Sequence, residues 1–534
     1  RLNPYQMLAF RTIGLARDSN KVGLEKTYDA VLKGRNGKQT VRSIAGGIGV
    51  PVDDTYLIEP ETGKDIVSTI DVFIQDIAEA ALMKMMVQNE AENGCAIVLE
   101  TKTGKVKAIA NLGRMANGTY WENLNYAITP SEPGSTFKLA TLMALLEDKK
   151  VNLNQTINLE NGVWRVAGQT VYDSERHAEN IVTVKQAFEL SSNVAMAKMA
   201  VTHYLNNPQL YLKHLRKMRM DTITGIDLVG ERKPVIHRPG SKLYGPTTIP
   251  WMSFGYNLAI SPLHTAMLYN AIANNGTMMR PYLVSSIKEE GVLLKDIPPT
   301  ILDTQICSPA TLAMLKASLE GVCIAGTAKS LFAGTPYKVA GKTGTALVAD
   351  GNRGYANKIY QSSFAGYFPA DDPQYTCVVV IKNKPFAASF YGASVAGPVF
   401  KEIADRLYST YIKTNKTLIA GTNKKDSTYF KYNGYKADLA YLSEKLQLKI
   451  SDSTGRADEW TSLNKNTATA VMQKMPINKN AMPPLKGLGL KDALYLCEEM
   501  GLMVQVKGRG RVLDQSILPG QPIAKGQLIQ INLN

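Results

Sequence analysis

Cysteine and histidine are scarce in this chain of 534 residues, with five of each. The cysteines (Cys95, Cys307, Cys323, Cys377, Cys497) are odd in number, scattered and without C-x-x-C spacing. That excludes a disulfide framework and a cysteine-ligated zinc site, and leaves buried free thiols as the expectation. No H-E-x-x-H pair occurs, so a histidine-based metal or haem site is not expected, and the sequence predicts no metal or organic cofactor. Long apolar runs are missing too. Leu139 to Leu146, with Thr141 inside it, falls far short of the ~18–20 residues of a spanning helix. A disordered signature is also absent: 45% hydrophobic and 20% charged residues describe ordinary globular protein, and the length suggests about three or four folding units.

Acidic residues are in deficit, 46 against 61 Lys plus Arg, for a formal net charge of +15. Such a balance favours anionic surroundings. No zinc finger, RNP-type aromatic motif or basic leucine repeat accompanies it, so nucleic acid is not an expected partner. Between Tyr411 and Asn480, twelve basic and six acidic residues mix with Asn, Thr and Ser, which reads as a polar, weakly packed connector.

The pattern along the chain predicts an α+β fold. Tyr5 to Leu15 is an amphipathic helical candidate, and Thr40-Val41-Arg42 is strand-like. Ser68 to Asp71 offers caps for a helix whose apolar stripe is Ile70, Phe73, Ile77, Ala81 and Met85. Cys95 to Ala110 alternates as a hairpin around Thr103-Gly104. Helical patterns then run from Ser135 to about Ile287. Strands return at Tyr337 to Val348 and Ser362 to Ile381, before a last helix at Val399 to Tyr411. Strands on both sides of a helical middle imply a mixed sheet-and-helix domain. A final small module holds a helix from Lys491 to Met500 and strands at Met503 to Lys507, Val512 to Ser516 and Leu528 to Leu533.

Three short motifs carry chemistry. In Ser-x-x-Lys at a helix start, hydroxyl and amine lie one turn apart, where the amine can take the hydroxyl proton. Ser135/Lys138, Ser285/Lys288 and Ser462/Lys465 all match, but only Ser135 follows Pro133-Gly134 and opens an apolar helical run. Lys-Thr-Gly occurs at Lys102 and at Lys342. The first is a hairpin tip, whereas Lys342-Thr343-Gly344-Thr345 sits in a strand whose glycine permits close approach of a ligand. Between them lies Ser191-Ser192-Asn193.

The order of these three motifs resembles the penicillin-binding protein and serine β-lactamase superfamily. Longer phrases are similar to class B penicillin-binding proteins: Pro133-Gly-Ser-Thr-Phe-Lys138, Ser191-Ser-Asn-Val194, Ala273-Asn-Asn-Gly276 with Arg280-Pro281, Gly326-Thr-Ala328, Ala340-Gly-Lys-Thr-Gly-Thr-Ala346, Phe364 to Asp371 and Gly392 to Phe400. Gly23-Leu-Glu25 with Tyr28-Asp29 resembles the pedestal of FtsI-type division transpeptidases, and Gly487 through Lys525-Gly526 resembles a PASTA domain. Gly255-Tyr256-Asn257 departs from the family where a second glycine is common, which leaves its contacts open. The implied layout is a partial pedestal (1–60), a transpeptidase domain (61–410), the connector or a degenerate module (411–480) and a PASTA-like domain (481–534).

The resemblance implies a peptidoglycan D,D-transpeptidase of septal wall synthesis, inhibited by β-lactams. Ser135 attacks a terminal D-alanyl-D-alanine, Lys138 is the base, and Ser191 passes the proton to the leaving amine. Asn193, Lys342, Thr343, Gly344 and Thr345 bind substrate. Backbone N–H groups of Ser135 and Thr345 form the oxyanion hole, where one donor is worth about 3–4 kcal/mol. Lys138 must lose about three pKa units, a cost of about 4 kcal/mol, for which burial and the neighbouring Lys342 cation are the expected sources. Expected partners are wall stem peptides, β-lactams, an FtsW-type glycan polymerase with other division proteins, and the cytoplasmic membrane through an anchor ahead of Arg1, with the catalytic domain extracytoplasmic. The roughly sixty residues ahead of the transpeptidase-like region are too few for a glycosyltransferase. Rival readings are an elongation-type transpeptidase, a carboxypeptidase or β-lactamase-like hydrolase, and a non-catalytic wall sensor. Class A β-lactamases carry a Glu-x-x-Leu-Asn after Ser-Asp-Asn, and none lies between Asn193 and Lys342.

Overall fold

The computed structural model describes residues 7–17, 20–348, 355–412, 430–446, 448–455, 460–465, 469–474, 478 and 480–533. The chain divides into two compact units, Arg1–Thr414 and Asn415–Asn534. No helix among the described residues is long and apolar enough to cross a membrane.

The first unit is built on helix α1 (Val72–Gln88), strands β1 (Asn93–Glu100), β2 (Val106–Arg114) and β3 (Tyr120–Trp121), helices α2 (Lys138–Glu147), α3 (Val184–Glu189), α4 (Asn193–Tyr204), α5 (Pro262–Ala273) and α6 (Pro309–Ile324), strands β4 (Ala340–Val348), β5 (Ile359–Phe368) and β6 (Tyr375–Lys382), and helix α7 (Ala396–Leu407). The six strands form one antiparallel sheet in the order β4-β5-β6-β1-β2-β3. Long runs of β1, β5 and β6 are buried residue after residue, because helices cover both faces: α1 and α7 pack on one side, α5 and α6 on the other. All twelve residues of α5 are buried, the polar His264, Thr265 and Asn270 included.

Asp71 caps α1 by accepting the Phe73 and Ile74 N–H groups at 3.1 and 3.3 Å. The buried stripe is Ile74, Ala78, Ala81, Leu82 and Met85, whereas Phe73 is 73% exposed. The expected stripe through Phe73 is thus one residue out of phase at its start, because this helix is apolar on more than one face and periodicity alone cannot choose between them.

Near the N-terminus the expected Tyr5 to Leu15 helix shrinks to Phe10–Ile13, with Tyr5 and Gln6 outside the described residues. Gly14 stops it at φ +89°, and a Cβ there would lie 1.8 Å from the Val22 carbonyl oxygen, so only glycine lets Leu15–Arg17 pair with Asn20–Val22. Strand-like Thr40-Val41-Arg42 belongs to a hairpin, Lys38–Ile44 with Ile48–Ile58.

In the second unit, residues 430–474 differ from the polar connector expected there. β7 (Phe430–Tyr435), α8 (Lys436–Lys445), β8 (Ile450–Asp452), β9 (Trp460–Lys465) and β10 (Ala470–Lys474) make a four-stranded sheet with a helix. Its core is only Leu439, Leu463, Ala470 and Met472, too few apolar residues to stand out in so polar a stretch. Beyond it, α9 (Leu490–Glu499) packs over β11 (Met503–Lys507), β12 (Val512–Gln515) and β13 (Leu528–Leu533) around Leu485, Leu496, Cys497 and Ile531, within one residue of the expected element limits. All five cysteines are buried and free.

Candidate active site

Ser135 lies in a 3-10 turn, Gly134–Phe137, that runs directly into α2. The turn is braced from below. Thr136 donates its hydroxyl to the Pro133 carbonyl at 2.9 Å, and Tyr269 of α5 donates its hydroxyl to the Thr136 carbonyl at 2.9 Å. The Gly134 N–H donates to the Gly255 carbonyl at 3.1 Å. Gly255 has φ +91°, and a Cβ on it would meet the Gly134 carbonyl oxygen at 2.0 Å, so the two backbones touch. The segment left open in the sequence therefore seats the Ser135 turn. Its Tyr256 hydroxyl accepts the Leu347 N–H at 2.8 Å, and the Asn257 N–H donates to Glu132 at 3.0 Å.

Lys138, one turn after Ser135, is fully buried. Its amine donates to the Ser191 carbonyl at 2.5 Å and the Ser191 hydroxyl at 3.1 Å. Ser191 has φ +60°, an uncommon left-handed conformation for a residue with a side chain, in the link between α3 and α4. Burial lowers the Lys138 amine to about 7, while the Asp173 carboxylate pulls it back upward. Lys342, also fully buried, donates to the Thr343 carbonyl at 3.1 Å and lies 5.8 Å from the Phe188 ring centre. Its amine is held well below its ordinary value, first by burial and then by the charge of Lys138.

The expectation that the Lys342 cation lowers Lys138 is corrected by these causes. The repulsion falls on Lys342.

β4 is an edge strand of the sheet and pairs Thr343, Gly344 and Thr345 with Phe364, Ser363 and Ser362. A Cβ at Gly344 would meet the Ser363 hydroxyl oxygen at 2.2 Å and the Thr136 methyl carbon at 3.2 Å, so glycine lets this strand and the Ser135 turn pack together. One cleft is walled by Ser135, Ser191, Thr343 and Thr345, together with Thr327 and His177. Lys138, Lys342 and Gly344 are buried, and Asn193, whose side-chain nitrogen donates to the Tyr172 carbonyl at 2.7 Å, is not among the described wall residues. The other two Ser-x-x-Lys matches lie on strands, Val284–Glu289 and β9.

Sequence reasoning missed Asp173, His177 and Thr327. Asp173 organises the start of α4: its carboxylate accepts the Ser192 hydroxyl at 2.8 Å and the N–H groups of Asn193 and Val194 at 2.5 and 2.9 Å. His177 holds the same carboxylate at 3.0 Å. The Thr327 and Thr343 hydroxyls share a hydrogen bond of 2.6 Å. The phrase Gly326-Thr-Ala328 was a signal for Thr327, whereas nothing local marks Asp173.

The family model "Penicillin binding protein transpeptidase domain" matches residues 94–405, and the PASTA domain model matches residues 480–534. Stage V sporulation protein D of Bacillus subtilis is 28% identical over 430 residues, 78% of this chain and 65% of that protein. Peptidoglycan D,D-transpeptidase FtsI of Escherichia coli K12 is 29% identical over 392 residues, 71% of this chain and 62% of that protein. The chain thus spans slightly less than two thirds of the length of these relatives. Penicillin binding protein 3 of Mycobacterium tuberculosis superposes with a TM-score of 0.63 at 26% identity, over 76% of this chain and 89% of that one. Penicillin Binding Protein 2X of Streptococcus thermophilus shares the fold at a TM-score of 0.64 and 19% identity, over 99% of this chain and 82% of that one. With the family model spanning more than half of its residues and a PASTA domain following, the chain belongs to the penicillin-binding protein transpeptidases, as a class B member.

Proposed function

We propose that this chain is a serine D,D-transpeptidase that cross-links peptidoglycan stem peptides, acting in septal wall synthesis. The observation that carries the reading is the buried Lys138 amine, lowered to about 7 and hydrogen-bonded to Ser191 beneath a cleft that also holds Ser135, Thr343 and Thr345. A lysine so tuned is neutral in a large fraction of molecules at physiological pH and can act as a base.

Ser135 is the nucleophile. Its hydroxyl proton passes to Lys138 as the Oγ–carbon bond forms to the penultimate D-alanine carbonyl of the donor peptide. The backbone N–H groups of Ser135 and Thr345 are the proposed oxyanion donors. The proton moves through Ser191 to the amine of the departing terminal D-alanine as the carbon–nitrogen bond breaks. An acceptor amine then attacks the acyl-enzyme, gives up a proton by the same route, and restores the Ser135 hydroxyl. Thr343 and Thr345 hydroxyls hold the terminal carboxylate, with Lys342 and Gly344 setting the strand that presents them. Asn193, its amide nitrogen anchored on Tyr172, offers Oδ1 to the substrate amide.

The domain reading that accompanies this function is a partial pedestal, a transpeptidase domain, a degenerate module over 430–474 and a PASTA domain. A membrane anchor ahead of the chain, an extracytoplasmic catalytic domain and a glycan polymerase partner of the FtsW type complete the proposal. A Mycobacterium tuberculosis penicillin binding protein 3 is known in complex with aztreonam, which supports β-lactams as ligands here.

Intact mass after brief exposure to benzylpenicillin tests the core of the reading. Wild type is expected to gain one stable adduct and Ser135→Ala none. An adduct on both, or on neither, overturns Ser135 as nucleophile.

A further inference from the structure

Away from the catalytic cleft, the first unit holds an open pocket of about 190 Å³ lined by four cationic residues, Arg11, Lys21, Lys26 and Arg232, the last two exposed. Its described wall contains no carboxylate. Lys21 is neutralised, its amine 2.5 Å from the Asp29 carboxylate. Among the described residues, no ion pair engages Arg11, Lys26 or Arg232. Glu122 accepts the backbone N–H groups of Arg11 and Asn111 at 2.7 and 2.9 Å. Burial pushes Glu122 up to about 8, while the Arg11 N–H and charge pull it back down, so it is mostly protonated at neutral pH.

A second, independent observation comes from Asn125, which also forms part of the wall. The residue is 7% exposed, and neither the nitrogen nor the oxygen of its amide has a hydrogen-bond partner among the described residues. Native structures rarely leave a buried amide unpaired without a ligand, ion or water to satisfy it. Two arginines, a lysine and the buried Asn125 line one pocket. That set suits a group with several oxygens and more than one negative charge better than a single carboxylate.

We propose that this cavity is a binding site for a phosphate or diphosphate group, held by Arg11, Lys26 and Arg232 with the Asn125 amide as an additional donor. The group belongs either to a soluble molecule or to a lipid headgroup. The site lies apart from Ser135 and its occupancy does not depend on the catalytic reading.

Titration calorimetry of the full chain with inorganic pyrophosphate is the test. Saturable uptake at one site is expected, weakening as salt shortens the Debye length from about 10 Å at 0.1 M to about 3 Å at 1 M. The Lys26→Gln/Arg232→Gln double variant should lose about tenfold or more in affinity, while Lys213→Gln on the surface helix Pro208–Lys217 should match wild type. Unchanged labelling of each variant by benzylpenicillin shows that it has folded. Flotation with phosphatidylglycerol vesicles, but not phosphatidylcholine vesicles, that disappears in the double variant assigns the group to a lipid. Pyrophosphate uptake without flotation assigns it to a soluble molecule. No saturable uptake of pyrophosphate, or equal affinity in wild type and double variant, overturns the proposal.

Discussion

Lys138 joins burial to chemistry. Its amine is driven to about 7 because the protonated form is poorly solvated between α2 and the Ser191 link. The neutral amine is the reactive form, so the rate of acylation by a β-lactam is expected to climb about tenfold per pH unit below 7 and to level off above it. Asp173 acts in the opposite direction, its carboxylate favouring the cation. Asp173→Asn is therefore expected to move the midpoint of that profile to lower pH, measured as the second-order acylation rate across pH 5 to 9. A midpoint that stays fixed or moves upward would show that Asp173 does not reach Lys138 electrostatically. Ser135 and Lys138 were legible in the sequence because their relation is local, three positions apart at a helix start. Asp173 was not, because apart from His177 its partners, the Ser192 hydroxyl and the N–H groups of Asn193 and Val194, come about twenty residues later.

Among the elements, the Ser135 turn is held by a contact between two glycines. Gly255→Ala would place a methyl 2.0 Å from the Gly134 carbonyl oxygen on a backbone at φ +91°. The turn must then move, and a displacement of about 1 Å at a nucleophile costs on the order of 100-fold in rate. Gly245→Ala, with no atom within 4 Å of the added carbon, serves as the comparison and should acylate as wild type does. Equal rates for the two variants would remove Gly255 from the support of the nucleophile. Element types were readable where one pattern dominated, as in the hairpin β1-β2 and the strands β4 to β6. Phase was less so: in α1, Phe73 and Ile74 are both apolar, and only packing against β1 and β2 decides that Ile74 is the buried one. At 430–474 the sequence left a connector and a degenerate module both open, because a handful of buried residues, Leu439, Leu463 and Met472 among them, is diluted by lysine, asparagine and threonine.

For the whole molecule, the large core and a small satellite around Val194 and Phe254 lie within Arg1–Thr414, whereas two further small cores lie within Asn415–Asn534. Units with separate cores unfold as separate cooperative transitions. A chain ending after Thr414 is thus expected to acylate within about twofold of the full protein, and calorimetry of the full protein should resolve an upper or lower transition that the shortened chain lacks. Loss of labelling on truncation would mean that the second unit supports the first.

The position of β4 on the rim of its sheet carries one more consequence. One side of that strand is zipped to β5, and among the described residues no strand pairs with the other. A guest peptide lying there in extended form reads as a seventh rung of the ladder, gripped through atoms that every amino acid shares. Discrimination between guests is then confined to the few positions where a threonine hydroxyl or a wall of the cleft meets what the guest's backbone cannot supply.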